Sequence, residues 1–265
     1  MSRNSLKSVM RLLDDAVEES SVEASFLADL KRSIELTDAK NRRLPSQTYK
    51  PSGMNCIRSM YYQVMGVEPG ESPANYSLIG ICNAGTDIHQ RIQQAVLDMK
   101  DNGMDCEYIK VSDYVRSRNL DYLEIVKEPD FENGDYETKL YHKTLNMSFL
   151  CDGIIRYKNK YYILELKTEA SFKFNVRGDV DPKHYNQGTA YSLAFGLDDV
   201  LFVYINRDLL DMKSFMFHVT DEMREELVSK IQECDNYVNS KTTPPKPENI
   251  KGCQYCAYKG RCDKE

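Results

Sequence analysis

Two apolar segments separated by a short polar tip dominate the pattern of hydrophobic and polar positions. The segments FLCDGII and YYILEL lie within residues 147–172, and the tip is Lys158-Asn159-Lys160. Both segments are rich in Ile, Leu, Tyr and Phe, so we predict that they are the strands of a β-hairpin. Apolar residues at consecutive positions are typical of strands covered on both faces. The pattern therefore predicts a buried hairpin at the centre of the fold.

Three charged residues interrupt this apolar hairpin: Asp152, Glu165 and Lys167. A two-residue turn at 158–159 places Asp152 opposite Glu165, and a turn at 159–160 places it opposite Lys167. Directly opposed side chains share a face of the sheet, whereas a three-residue turn would move Asp152 to the other face. Two of the three simplest turns thus gather two carboxylates and an ammonium group on one patch.

Charges in such a place are costly unless they are paired or bound to a metal. Two carboxylates are hard oxygen ligands that suit Mg²⁺ or Mn²⁺. A neighbouring lysine can orient an attacking water or stabilise charge on a phosphate. The alternative is a buried ion pair between Lys167 and one of the carboxylates, with no metal chemistry.

The remaining pattern alternates between helices and strands and predicts an α/β protein. We predict helices at 5–40, from Ser52 to about Gly66, from Gly85 onward with Thr86 as N-cap, from Asp181-Pro182 to Gly196, and at 222–238. We predict strands at 108–115, 120–126, 137–144, 200–206 and 214–219. We expect loops at 67–80 and at 168–180, the second of them near substrate. The first helical segment is expected to pack on the protein, with docking to a partner as the alternative.

Composition and charge narrow the class of protein. The chain has 265 residues, of which 41% are hydrophobic and 29% charged, as in soluble globular proteins. No apolar run approaches the ~20 residues that span a bilayer, and the N-terminus lacks the apolar region of a signal peptide. We therefore expect a cytoplasmic protein, bacterial or in a phage-infected host, whose eight cysteines are thiols or metal ligands rather than disulfides.

The net charge of −6 does not favour nucleic-acid binding, but a local groove can be basic on an acidic protein. Basic residues crowd the hairpin and the segment after it, up to Lys183. The acidic residues concentrate elsewhere, for example at 130–137.

Three cysteines near the C-terminus, Cys253, Cys256 and Cys262, are spaced C-x2-C-x5-C. In a cytosolic protein this spacing suggests a metal site. A fourth local ligand is missing, and Cys56, far upstream, is the natural candidate. Four thiolates can hold either a [4Fe–4S] cluster or Zn²⁺, and the spacing does not choose between them.

The chain resembles PD-(D/E)xK nucleases of the RecB-like and Cas4-like families, whose iron–sulfur staple also occurs in AddB nucleases. The resemblance covers residues ~49 to 262. Five elements carry it in the family's order, namely Cys56, Gly85-Thr86-Asp87-Ile88-His89, Asp152-Gly153 with Glu165-Leu166-Lys167, Gln187 with Tyr191, and the cysteine triad. Taken alone, His89 would be a surface or capping residue, and Gln187 and Tyr191 an ordinary pair on one helix face.

This resemblance implies a restriction-endonuclease-like core, with a central mixed sheet flanked by helices. We expect residues 1–45, which lie outside the resemblance, to form an N-terminal helical extension, and residues 46–265 to form the nuclease domain, including the cysteine segment 245–265. A cluster held by four cysteines would join the N- and C-terminal segments, and the resemblance favours [4Fe–4S] over Zn²⁺.

The implied activity is metal-dependent hydrolysis of DNA phosphodiester bonds, by an exonuclease on single-stranded DNA or DNA ends. Mg²⁺ or Mn²⁺ would be bound by His89, Asp152 and Glu165. Lys167 would position or activate water, and Gln187 and Tyr191 would orient the site or the substrate. DNA is the expected partner, and a helicase or recombination protein is a further candidate.

Two other functions stay open from the sequence. The first is a non-catalytic subunit that binds DNA ends or acts as a scaffold in a recombination, replication or CRISPR-type complex. The second is a zinc-stapled structural or adaptor protein whose hairpin charges only pair with one another.

Overall fold

A computed structural model describes residues 21–41, 45–69, 75–247, 253 and 256–265. The helical pattern predicted within residues 5–20 lies outside the described residues. The chain divides into two compact units, one made of Met1–Arg43 and Glu71–Asn83 and the other of Leu44–Gly70 and Ala84–Glu265.

The first unit contains helix α1, Val22–Lys40, which confirms the predicted N-terminal helix for these residues. The helix begins at Ser21, whose hydroxyl accepts a hydrogen bond from the amide of Ala24 at 3.1 Å, a normal N-cap. None of its residues is buried. Within this unit, the amide of Tyr76 donates to Oε1 of Glu35 at 3.2 Å.

The remaining elements are seven α-helices and eight strands within the described residues. The helices are α2 Ile57–Val64, α3 Tyr76–Asp101, α4 Val111–Ser117, α5 Ser171–Val176, α6 Tyr185–Phe195, α7 Asp221–Ser240 and α8 Lys259–Cys262. The strands are β1 Cys106–Ile109, β2 Leu123–Lys127, β3 Thr138–His142, β4 Met147–Cys151, β5 Gly153–Tyr157, β6 Lys160–Glu169, β7 Asp199–Asn206 and β8 Met212–His218. No helix among the described residues is both long enough and apolar enough to cross a membrane.

The central sheet has five strands in the order β1-β5-β6-β7-β8. Its β6–β7 pair is parallel and the other pairs are antiparallel, so the sheet is mixed as predicted. A second, antiparallel sheet has the order β2-β3-β4. Since β4 ends and β5 begins on either side of Asp152, the chain passes between the sheets at this residue.

The predicted hairpin is β5–β6, with a two-residue turn at Lys158-Asn159. Both turn residues have positive φ, 48° and 64°, as a type I′ turn requires. The strands pair Tyr157 with Lys160 and Gly153 with Leu164. Continued by one residue, this register brings Asp152 level with Glu165, as the first of the predicted turns requires.

Helices cover both faces of the central sheet. On one face, Ala190, Tyr191 and Phe195 of α6 belong to the same core as Ile163 of β6 and Phe202 of β7. On the other face, a second core contains Leu164, Leu166 and Ile205, against which residues of α3 pack, namely Ile88, Ile92, Val96, Leu97 and Met99. The predicted sheet flanked by helices is therefore confirmed.

Four predicted elements are wrong. The helix expected from Ser52 starts only at Ile57, with Cys56 as its N-cap.

Helix α3 starts at Tyr76, so part of the expected 67–80 loop is helical and Thr86 lies inside the helix rather than at its N-cap. The prolines and glycines between 69 and 80 favoured a loop, but Gly80 lies within the helix. Gly85 also lies within it, and a Cβ there would approach Oγ1 of Thr168 to 3.1 Å, so a small residue suits the contact.

The other two errors concern short helices. Residues 111–117 form α4 rather than the end of a strand, because Val111, Tyr114 and Val115 are buried at helical spacing. Residues 171–176 form α5 rather than a loop. The amide and hydroxyl of Ser171 both donate to Oδ2 of Asp208 at 2.8 Å, which anchors the start of this helix.

Candidate metal centre

Asp152 is the fixed point of the site. It is 6% exposed, and its Oδ2 accepts a hydrogen bond from the amide of Leu166 at 2.6 Å. Its backbone carbonyl accepts from Nε2 of Gln93 and from the hydroxyl of Tyr108, both at 2.8 Å. With these positions held, Oδ1 lies 3.5 Å from Nδ1 of His89 on α3. The structure therefore brings the predicted histidine to the predicted aspartate.

Glu165 is 3% exposed, and its two oxygens have different environments. Oε1 accepts hydrogen bonds from Nζ of Lys167 and from Nε2 of Gln187, both at 2.6 Å. Among the described residues, Oε2 is buried without any hydrogen-bond partner. A buried carboxylate oxygen left unpaired is costly, so this atom is a ligand position for a cation.

Gln187 and Tyr191 connect the site to the sheet. Oε1 of Gln187 accepts from Lys167 at 2.9 Å, and its Nε2 also donates to the hydroxyl of Tyr191 at 3.0 Å. That hydroxyl in turn donates to the carbonyl of Leu150 at 2.9 Å. These hydrogen bonds hold Lys167 and Oε1 of Glu165 in one arrangement.

Glu137 is a site residue that the sequence did not reveal. The sequence pattern groups it with the acidic residues remote from the hairpin, but one ligand atom each of His89, Glu137 and Asp152 lie within 4.8 Å of one another. Glu165, the third predicted ligand, is not part of this group among the described residues. The signal that would have found Glu137 is the β3–β4 register. Thr138 pairs with Cys151, so the preceding residue, Glu137, comes level with Asp152.

The pKa values of the site residues are shifted in the directions expected when several carboxylates lie close together in a buried site. Burial, reinforced by the charge of Asp152, raises the pKa of Glu137 to about 7. Burial also raises the pKa of Glu165 to about 7, although Lys167 acts in the opposite sense. Burial alone would lower the pKa of His89, but the hydrogen bond and charge of Asp152 outweigh it and raise this pKa.

This donor set fits a divalent cation. The carboxylates of Asp152, Glu165 and Glu137 carry three negative charges, and the ammonium group of Lys167 balances one of them. One divalent ion would balance the other two. The ligands are carboxylate oxygens and one imidazole nitrogen, which suit Mg²⁺ or Mn²⁺. The unpartnered Oε2 of Glu165 also requires a positive partner.

The cysteines lie apart from this centre. Cys56, at the N-cap of α2, lines a cavity of about 220 Å³ together with Cys253, Cys256 and Cys262. All four are free thiols in the described part of the chain. A tetrahedral zinc site, with Zn–S bonds of about 2.3 Å, would hold its sulfurs about 3.8 Å apart. Among the described residues, no three of these sulfurs lie within 4.8 Å of one another.

Comparisons with known proteins give structural similarity only. No protein family and no curated protein matches the chain. The crystal structure of SSO0001 aligns with 16% identity and a TM-score of 0.48, over 90% of this chain and 97% of that one.

Two structures of LHK-Exo also align, each over 74% of this chain. The complex of LHK-Exo with dAMP has 11% identity and a TM-score of 0.48 over 89% of that chain. The alkaline exonuclease LHK-Exo from Laribacter hongkongensis has 12% identity and a TM-score of 0.39 over 90% of that chain. At these TM-scores the alignments carry no argument about this protein, whose function has to be inferred from its own site.

The raised pKa values predict how stability depends on pH without metal. A glutamate titrates near 4.3 in the unfolded chain. Because the folded pKa of Glu137 and Glu165 lies higher, at about 7, their stabilising contribution is complete below about pH 4.3 and is lost as the pH rises to about 7. The free energy of unfolding in metal-depleted buffer should therefore fall across this window, as measured by urea titration.

Mn²⁺ at a hundred times its Kd should restore about 2.7 kcal/mol at pH 7.5. The double variant Glu137→Gln with Glu165→Gln serves as control, because it should lose both the pH-dependent decline and the response to Mn²⁺. Equal pH profiles for the variant and the wild type would contradict this account of the site.

Proposed function

We propose that the protein is a metal-dependent DNA nuclease of the PD-(D/E)xK type. The observation that carries the proposal is a buried carboxylate cluster beside a fixed lysine: Oε2 of Glu165 has no partner among the described residues, while Oε1 holds Nζ of Lys167. The combination is the one expected at a site for metal-assisted phosphodiester hydrolysis.

Mg²⁺ or Mn²⁺ would be held by His89, Asp152 and Glu165, with Glu137 as a further ligand. Such an ion supplies Lewis-acid stabilisation of a phosphate and lowers the pKa of water. The remaining steps belong to the protein's own side chains, which place the substrate and move protons.

Lys167 is the residue suited to act on the attacking water. Its ammonium group donates to Glu165 and to Gln187, which fixes its position and leaves one proton free to donate. That proton can orient a water oxygen or stabilise charge on the phosphate. Gln187 acts through Lys167 and Glu165, and Tyr191 acts through Gln187, so both are positioning residues.

The four-cysteine cavity is the second part of the proposal. We infer that Cys56, Cys253, Cys256 and Cys262 hold a [4Fe–4S] cluster. The observation that supports a shared site is that the four residues line one cavity, and the resemblance to iron–sulfur nucleases favours [4Fe–4S] over Zn²⁺. Such a cluster would join the start of α2 to the C-terminal segment and stabilise the fold by the energy of metal binding.

Single-stranded DNA or a DNA end is the proposed substrate, with exonucleolytic cleavage. A helicase or recombination protein remains a proposed partner.

Asp152→Asn should reduce cleavage of end-labelled single-stranded DNA in Mn²⁺ by roughly a thousandfold, because it removes a metal ligand that is worth several kcal/mol in the transition state. The variant should fold normally, since the amide can still accept the hydrogen bond from Leu166. Asp199→Asn is the matched control, because Asp199 is also a buried aspartate, paired with Lys160 and His218.

Cleavage that persists in Asp152→Asn, or that does not need a divalent cation, would contradict the proposed site. Binding of DNA without cleavage by the wild type, with its metal cluster intact, would instead favour the non-catalytic subunit.

Cys256→Ala should lose the iron and the acid-labile sulfide of anaerobically purified protein and should lower its melting temperature. Cys82→Ala is the control, because Cys82 is exposed and lies outside the cavity. If the wild type contained one equivalent of zinc and no iron, the four cysteines would hold a zinc ion and the proposed [4Fe–4S] cluster would be wrong.

A further inference from the structure

His184, which the sequence did not single out, lies beside the metal centre. It is the N-cap of α6 and stacks on two aromatic rings of β7, with ring centroids 6.1 Å from Phe202 and 5.8 Å from Tyr204. These rings are the parallel-strand partners of Glu165 and Lys167, respectively. Partners in adjacent strands share a face of the sheet, so the imidazole lies next to the row of β6 that carries the site.

Hydrogen bonds fix which ring nitrogen of His184 carries the proton. Nδ1 lies 2.8 Å from the hydroxyl of Tyr204, and this hydroxyl accepts a hydrogen bond from the amide of Asp181 at 3.0 Å. The amide contact leaves the proton of the hydroxyl available, and we assign this proton to the bond with Nδ1. Neutral His184 then carries its own proton on Nε2, which is a hydrogen-bond donor.

The Nε2–H group is an unused hydrogen-bond donor among the described residues. Within the described ranges, Nε2 has no hydrogen-bond partner, and it is not among the side-chain atoms that are buried without one. The side chain is half-buried, so its donor is directed by packing rather than free to rotate. An ordered, unused donor beside a reaction centre is suited to bind substrate.

The surroundings of His184 keep its imidazole neutral. Burial lowers its pKa to about 3, and the positive charges of Lys167, Lys183 and Arg177 act in the same sense, opposed by Asp181. Each of these cations is itself paired with a carboxylate, Lys167 with Glu165, Lys183 with Asp181, and Arg177 with Glu169 and Asp181. The imidazole is thus a neutral donor beside a group of ion pairs.

We propose that His184 binds a phosphate group of the DNA strand next to the metal centre, through a hydrogen bond from Nε2, and that Tyr204 fixes the tautomer that makes this possible. The inference rests on the proposed nuclease function and names a substrate contact beyond the metal ligands. His184 would contact the substrate itself, whereas Tyr204 acts through His184 and is a positioning residue.

Two substitutions of His184 by amide residues distinguish the role of Nδ1 from that of Nε2. His184→Asn keeps a polar group near the position of Nδ1 and removes the distal donor, whereas His184→Gln places an amide near the position of Nε2. Affinity for a fluorescent single-stranded oligonucleotide would be measured in Ca²⁺ in place of Mn²⁺, and cleavage would be measured separately in Mn²⁺. His184→Asn should weaken binding by about tenfold to a hundredfold, since it removes a hydrogen bond to a charged group.

His184→Gln should recover most of this loss, and Tyr204→Phe should weaken binding in the same direction as His184→Asn. The loss should appear in KM more than in kcat, because the contact is present in both ground state and transition state. His218→Asn is the matched control, because Nδ1 of this exposed histidine is also bound, to Asp199 at 2.7 Å. His218 pairs with Asp199, five residues from Tyr204 and so about 16 Å along β7.

The salt dependence of binding gives an independent readout. A neutral donor releases no counterion, so His184→Asn should leave the slope of log K against log salt unchanged, whereas loss of one cationic contact lowers it by roughly 0.7 to 0.9. A slope reduced by that amount in His184→Asn would show a protonated histidine and overturn the assignment.

Three further outcomes would also count against the inference. Wild-type affinity in His184→Asn would exclude the contact. Equal losses in the asparagine and glutamine variants would assign His184 a purely structural role. A wild type that neither binds nor cleaves DNA would instead refute the proposed function, and this inference would fail with it.

Discussion

The cost of burying charge within an apolar sheet is the constraint on which the rest of the site depends. Asp152 and Glu165 are almost completely buried, and Glu137 lies beside them. Like charges this close cannot all remain ionised without a positive partner, and the raised pKa values of Glu137 and Glu165 express that conflict. One ammonium group, that of Lys167, resolves only part of it. A divalent cation would resolve the rest, which is why we propose a metal centre rather than a structural ion pair.

The carboxylate cluster lies where the chain passes from one sheet to the other, at Asp152. Asp152 separates β4 from β5, and the amide of Leu166 holds its carboxylate from across the hairpin. Helix α3 brings His89 to this point, and α6 brings Gln187 to Glu165. The parallel register of β6 and β7 places Phe202 and Tyr204 beside Glu165 and Lys167, which creates the platform on which His184 stacks. The level positions of Asp152 and Glu165 and the proposed phosphate donor thus depend on the pairing of β6 with both of its neighbouring strands.

The sequence predicted the hairpin because apolar content and a polar tip at Lys158-Asn159-Lys160 are local signals. It left three turns open, and the observed turn at Lys158-Asn159 is the one that brings Asp152 level with Glu165. The helix from Asp181-Pro182 to Gly196 was predictable for the same reason, since a cap and a left-handed glycine mark its ends. Glu137 was missed because its position depends on pairing between β3 and β4, and its neighbours in sequence are ordinary acidic residues. His184 was missed because its partner, Tyr204, is 20 residues away and no short motif joins them.

The central claim is that the buried carboxylates form a divalent-cation site, and anomalous diffraction from crystals soaked in Mn²⁺ tests it most directly. The account predicts a manganese peak within coordination distance of Asp152 and Glu165, with His89 or Glu137 completing the ligand set. It would be contradicted if no peak appeared there at saturating Mn²⁺ and Oε2 of Glu165 were instead hydrogen-bonded to protein or water.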